Sequence, residues 1–419
     1  MHTLLDNYDN SGFYRWVIVL AGVLGLFAAL GLGRFSLGMM LPAMAEGVGM
    51  SYSQMGVVST LNFCGYLAAV LVCGRLNRLL GARVLIFLAL LLVGLSMALI
   101  SCLDSYIGIV LLYCCTGVGT ALANVPIMAL ISTWFEPGMR GRAAGICVMG
   151  NGLGLVFSGQ LVPLLNEMAF GWRSSWLVLG WVVVVIAVVA LLLIRNSPAE
   201  KRSTWLDSAK NSRKHQNYRV ERAASGQPLH RKKAILHCGL LYFLFGFTYV
   251  IYVTFMVTFL VEERGYSEYG AGQLWALAGL FSLGSGPLFG YFSDRYGRKS
   301  ALMVVFGLQA CAYLLVGFSL PPVAIYASLV CYAIVAWSVP SIMAALVGDY
   351  VGAEGAAAAF GFVTFIFGIG QIAGPALAGG LAEKWGSFQP AFLAAAFCVA
   401  LAGAFSAGLP GSSTGKEKG

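Results

Sequence analysis

Long apolar runs separated by short polar segments repeat from one end of the chain to the other, at a length beyond that of a typical soluble-core helix. A helix needs roughly 20 apolar residues to cross the hydrocarbon of a bilayer. On that measure twelve spans are expected: Trp16–Leu41, Ser53–Gly74, Val84–Cys102, Tyr106–Ser132, Ala143–Leu165, Ser175–Ile194, Ile235–Val261, Gly272–Phe292, Ala301–Leu320, Val323–Val347, Ala356–Ala382 and Phe388–Leu409. The expected fold class is therefore an all-α membrane protein with twelve transmembrane helices. A polar interval at 195–234 divides them into an N-terminal bundle at 16–194 and a C-terminal bundle at 235–409, with tails at 1–15 and 410–419.

Loop charge adds an orientation. Arg75, Arg78, Arg83, Arg140, Arg142, Arg295, Arg298 and Lys299 lie in loops on one side, whereas Glu46, Asp104, Glu167 with Arg173, and the set Glu262, Glu263, Arg264 and Glu268 lie on the other. Lys and Arg in short loops are retained in the cytoplasm, so both termini are expected inside, with the protein a multi-pass component of the cytoplasmic (inner) membrane. The first span lacks a short apolar core with a small-residue cleavage site, and is expected to be retained rather than cleaved.

Composition agrees: 59% of residues are hydrophobic and only 10% charged, too few to coat a soluble protein of 419 residues. The net charge of +9 is concentrated between Arg195 and Lys233, where eleven Lys or Arg face Glu200, Asp207 and Glu221. The basic balance describes a cytoplasmic connector touching water or anionic headgroups and gives no sign of nucleic-acid binding. All ten cysteines fall in or at the edge of spans, where a thiol is a small apolar group, and no disulfide framework is implied. The four histidines share no helix face with metal-ligating partners, and none provides a mid-membrane base, so neither a metal, another cofactor nor an enzyme is expected.

The loop after the eighth span reads Gly290-Tyr-Phe-Ser-Asp294-Arg295-Tyr-Gly297-Arg298-Lys299. It resembles the G-x-x-x-D-R-x-G-R-[RK] signature between the second and third helices of each half in the major facilitator superfamily. The matching first-half loop keeps Gly74 and Gly81 at the same spacing and ends on Arg83, but has Arg78 where the signature has Asp and Ala82 where it has Arg. A latch role implied for Asp294 is thus not implied for the first half. Gly150 and Gly152 align likewise with Gly368 and Gly370, and Gly374-Pro375 extends that run, as close helix packing or as a gating hinge. The strings Gly31-Leu-Gly-Arg34-Phe35 and Leu41-Pro-Ala-Met44 resemble a broad, mostly uncharacterised bacterial branch of the superfamily, with a G-x-G-R-F element in its first helix. The resemblance implies two pseudo-symmetric six-helix bundles around a central cavity opened alternately to each side, for which a monomer suffices.

Arg34 is the full charge inside an otherwise apolar span, at a cost of at least about 2.5 kcal/mol. No Asp or Glu sits mid-span to accompany it, which removes the usual carrier of protons in cation exchangers. The planar fork of a guanidinium suits a carboxylate. Asn62, Tyr66, Asn151, Tyr249, Tyr252, Gln273, Trp275, Trp337 and Gln371 reach comparable depth and join Arg34 as candidate substrate contacts; each could instead bridge helices or fill an interface. The leading expectation is a transporter of a small organic anion or zwitterion, coupled to a proton that travels with it or uncoupled. The rivals are an exporter of lipophilic compounds, prompted by the aromatic run Tyr242 to Phe259, and a ligand sensor signalling through the basic connector.

Overall fold

The computed structural model describes residues 2–197 and 229–410. Most of the 195–234 connector and the 411–419 tail thus lie outside the described residues. The elements are α1 (His2–Leu26), a π-helical stretch (Phe27–Phe35), α2 (Leu37–Val48), α3 (Tyr52–Ile100), α4 (Tyr106–Trp134), α5 (Pro137–Asn166) and α6 (Trp172–Leu193) in the first half. The second half contains α7 (Leu229–Thr258), a short π stretch (Phe259–Glu263), α8 (Glu268–Ser282), α9 (Ser285–Tyr296), α10 (Arg298–Gly317), α11 (Val323–Ala333), α12 (Ser338–Trp385) and α13 (Gln389–Ala407). Ten segments are long and apolar enough to cross a membrane. One of these, Tyr52–Ile100, turns back at Gly81 and makes two crossings. The broken pair α8–α9 supplies the remaining crossing, so twelve are formed among the described residues.

The internal repeat has a physical basis. Gly81 and Gly297, equivalent in the two signature loops, have φ of 77° and 91° with ψ of 156° and 152°. Only glycine adopts this region without strain, so both turns need it whether or not the neighbouring acid is kept. The second repeat is a packing device. A Cβ on Gly150 would lie 2.4 Å from the Val23 carbonyl of α1, and one on Gly370 would lie 2.3 Å from the Phe243 carbonyl of α7. Each bundle thus seats its first helix against a glycine of its fifth. Gly374 meets the Phe247 carbonyl in the same way, while Pro375 sits within α12 with its carbonyl against Gly56 of α3.

Local signals start several helices. Ser51 and Gln54 form a capping box at the start of α3, and the Ser267 hydroxyl accepts from the Gly270 N–H at the start of α8. At the end of the molecule carrying the termini, Tyr14 donates to the Leu193 carbonyl and Trp134 to the Arg195 carbonyl. Arg83 donates through Nε to the Leu191 carbonyl and through its backbone N–H to Asn196. These bonds tie α1, α3, α4 and α6 together at this terminus end.

The two halves meet along α3 with α12 and α5 with α8, and the contact is uneven along its length. At the far end from the termini, Gly56 packs on Pro375 and Gly379, and Gly159 on Gly272; near mid-height Gly152 packs on Gly279, and Leu67 closes on Gly368. Continuing along the same faces toward the terminus end, Leu71 is 70% exposed, and Gly74, Gly141, Gly145, Gly290 and Gly361 have nothing within 4 Å of a built Cβ. Along α3, α5 and α12, and in α9 beyond the break after α8, contact gives way to open space. The molecule is closed at its far end and open at its terminus end.

Candidate functional site: a buried guanidinium between the halves

Arg34 lies in the π stretch, where the wider backbone coil carries nine residues and ends with the Ser36 N–H donating to the Gly31 carbonyl five residues back. The glycines of this stretch permit close contact: Gly31 touches Gly154 of α5, and Gly38 just beyond it meets the Val253 carbonyl of α7. The π turn sets the rotation of the helix here, and Arg34 points inward. Its side chain is only 7% exposed, and it is the one buried charged residue among the described residues.

Its surroundings hold the guanidinium without neutralising it. Nε donates to Asn62 Oδ1 at 3.3 Å, and Asn62 Nδ2 donates to the Tyr113 carbonyl at 2.9 Å, which fixes the amide orientation. The Tyr113 hydroxyl closes the ring of bonds by donating to the Arg34 carbonyl at 3.1 Å. Phe63 and Tyr66 offer ring faces, with centroids 4.5 and 4.2 Å from the guanidinium carbon. No carboxylate pairs with Arg34 among the described residues, and its buried terminal nitrogen Nη2 has no partner. An unpaired buried donor on a cation is costly, and an anionic partner would offset that cost.

The guanidinium faces a cavity lined from both halves: Phe35, Gly38, Ser59, Asn62, Phe63 and Tyr113 from the first, Tyr249, Val250, Val253 and Thr254 from the second. In this conformation its free volume is about 10 Å3, the threshold for one water molecule. Ser59 and Thr254 hydroxyls meet across it at 3.3 Å, and Gln371 bonds the Tyr249 hydroxyl. A carboxylate seated on Arg34 would therefore touch groups of both halves.

Of the residues singled out from sequence, Arg34, Asn62, Tyr66, Tyr249 and Gln371 converge here, with Tyr66 held by Asn124 at 2.9 Å. Trp337 stands one layer out, its ring 4.9 Å from Phe35. The others lie elsewhere. Tyr252 is buried in the second half, bonded to Ser328 and stacked on Tyr332; Trp275 is 1% exposed inside the packing of α8. Gln273 exchanges two amide bonds with Gln160 across the α5–α8 contact, and Asn151 is buried in α5 outside the cavity lining. Ser59, Phe63, Tyr113 and Thr254 were not expected from sequence. Small hydroxyls in apolar helices commonly bond their own carbonyls, so Ser59 and Thr254 gave no separate signal. In the signature loop, Asp294 pairs with Arg298, which also reaches Ser293 at 3.0 Å and Asp349 at 3.2 Å, all within the second half. Arg295 and Lys299 are exposed beside it.

Comparison with known proteins decides the family, since the model of the Major Facilitator Superfamily matches residues 23–366. The chain belongs to the Major Facilitator Superfamily. It is a multi-pass membrane transporter for a small-molecule substrate, and its relatives and fold are those of transporters rather than enzymes. It is 25% identical over 400 residues to the hexuronate transporter of Bacillus subtilis, covering 90% of this chain and 89% of that protein. It is 26% identical over 412 residues to human monocarboxylate transporter 11, covering 94% and 82%. A probable sulfoacetate transporter of Cupriavidus necator is 24% identical over 383 residues, covering 86% of each. Among solved structures, the nucleoside transporter NupG superposes with a TM-score of 0.70 at 15% identity, over 94% of this chain and 98% of that one, which is a likeness of fold.

Proposed function

We propose that this member of the superfamily carries a small organic anion or zwitterion across the cytoplasmic membrane by alternating access, with Arg34 holding the negative group. The observation that carries the reading is a buried guanidinium with an unpartnered terminal nitrogen, facing a cavity lined from both halves and lacking any carboxylate counterion among the described residues. Asn62 occupies Nε and leaves the terminal nitrogens for the solute, so it orients the fork rather than competing with it. Tyr249, Ser59 and Thr254 supply hydroxyls beside it. Hexuronate, monocarboxylate and sulfoacetate in the names of the relatives are all anions, which supports the same class.

The positive loops favour a cytoplasmic terminus end, and in this reading the described state is inward-open. With no buried Asp or Glu among the described residues, a co-transported proton would ride on the solute. The chain works as a monomer in this reading, with 16–194 and 235–409 as the rocking bundles. The aromatic run of α7 gives the lipophilic-export reading little support, because Tyr242, Phe245 and Tyr249 stack on Phe367 within the second half and Phe255 on Phe388. The test is a thermal-stability screen of the purified protein with organic acids and their uncharged analogues, such as glucuronate against glucose, followed by uptake into proteoliposomes. An anion that binds the folded state raises the melting temperature by mass action. Stabilisation by lipophilic cations alone, with no response across the acids, would overturn the proposal.

A further inference from the structure

At the far end the halves enclose an open vestibule of about 620 Å3, lined by Glu46, Glu262, Glu268 and Glu383 among others. Three of these acids belong to the second half, and each meets a group of the first. Glu383, near the end of α12, accepts from the Ser53 backbone N–H at 3.1 Å, at the first turn of α3. Glu268, at the start of α8, accepts from Asn166 Nδ2 at 2.7 Å, at the end of α5. The Asn166 amide is fixed in that orientation because its Oδ1 accepts from Ser175 at 2.7 Å. Glu262 faces the phenol of Tyr52, whose ring packs edge-on against Phe388 at 4.9 Å. The Glu383 and Glu268 bonds join two helix pairs that pack across the halves, α3 with α12 and α5 with α8, while Glu262 joins the π stretch after α7 to α3.

We infer that Glu262, Glu268 and Glu383 form a carboxylate lock that holds the far end shut, so that their charge sets the balance between the two access states. Bonds to an ionised acceptor are roughly twice as strong as neutral ones, and here they cross the surface that must separate. Other charges around the mouth do not cross it: Glu46 lines the vestibule as an exposed carboxylate, Glu263 accepts from Ser387 and Phe388 within its own half, Arg264 donates to the Phe318 carbonyl, and Lys384 is exposed. The acids also repel one another, so the lock holds only while its cross-interface donors outweigh that repulsion. The inference rests on the alternating-access part of the proposed function and is independent of Arg34 and of the solute.

The test is hydrogen exchange of the full chain in lipid nanodiscs near pH 7, without solute, comparing the native protein with the E262Q/E268Q/E383Q variant and with E46Q. Glutamine keeps the shape and an acceptor oxygen but removes the charge. In the triple variant, peptides covering 52–60 and 268–280 should exchange about 10-fold faster as the charge assistance is lost. Peptides covering 71–80 and 141–148 should slow, because opening one end closes the other, and E46Q, which removes only repulsion, should not accelerate the far end. Unchanged exchange at the far end, acceleration at both ends, or the same acceleration in E46Q would each overturn the lock. A failure here together with an intact response of the native protein to organic acids would refute the lock alone.

Discussion

Replacing Arg34 with Gln should weaken anion binding strongly and leave the stability of the empty protein nearly unchanged, two effects separable from one side chain. The glutamine amide can still donate to Asn62 Oδ1, so the bond that Nε makes has a replacement. What is removed is a buried cation costing about 2.5–3.5 kcal/mol at mid-membrane. What is forfeited is contact with the faces of Phe63 and Tyr66, about 2 kcal/mol each for a buried cation. The two nearly cancel, leaving the variant within about 1.5 kcal/mol of the native protein. Binding does not cancel. Two charge-assisted bonds from the terminal nitrogens to a carboxylate are worth about 1.5–3 kcal/mol each, so even the lower value removes about 3 kcal/mol, more than 100-fold in affinity. Thermal unfolding of both proteins, with and without an organic acid that stabilises the native one, reads the two effects in a single experiment. A variant that melts several degrees lower when empty and still responds to the acid would refute the reasoning, since Arg34 would then be a structural cation.

Tyr249→Phe should keep the fold, because its ring still stacks on Phe245 and Phe367, while weakening anion binding by about 5–10-fold through loss of one hydroxyl, measured by titration calorimetry. Gly297→Ala should cost about 1–2 kcal/mol from its positive φ alone, and Gly81→Ala somewhat more because its Cβ would also lie 3.2 Å from Asn196; thermal unfolding checks the order. Gly56→Leu should force α3 from the Pro375 carbonyl, only 2.5 Å from a built Cβ, and populate a far-end-open state seen as faster hydrogen exchange at 52–60. Deleting 203–225 should leave uptake of the anion unchanged in proteoliposomes; loss of uptake would favour the sensor reading.

Periodicity and charge made much of this protein legible in its sequence, because a bilayer demands long apolar helices and penalises each charge within them. The helical crossings, the repeat at Gly81 and Gly297, and the choice of Arg34 as a candidate all follow from such local requirements. Depth along a helix could be counted from sequence, but rotation about its axis could not. That difference separates Tyr249, which reaches the cavity, from Tyr252, three residues on, which is spent on Ser328 and Tyr332. It also explains why Gln273 and Trp275 are of the expected polar or aromatic type yet stand outside the site. The ring of bonds through Asn62 and Tyr113 and the closing of the far end by glutamates from the opposite half join residues distant along the chain. Sequence alone determined what must enter the membrane and which charge needed a reason to be there. Tertiary packing decided which neighbours that charge has, because only the docking of two bundles sets the facing surfaces between them.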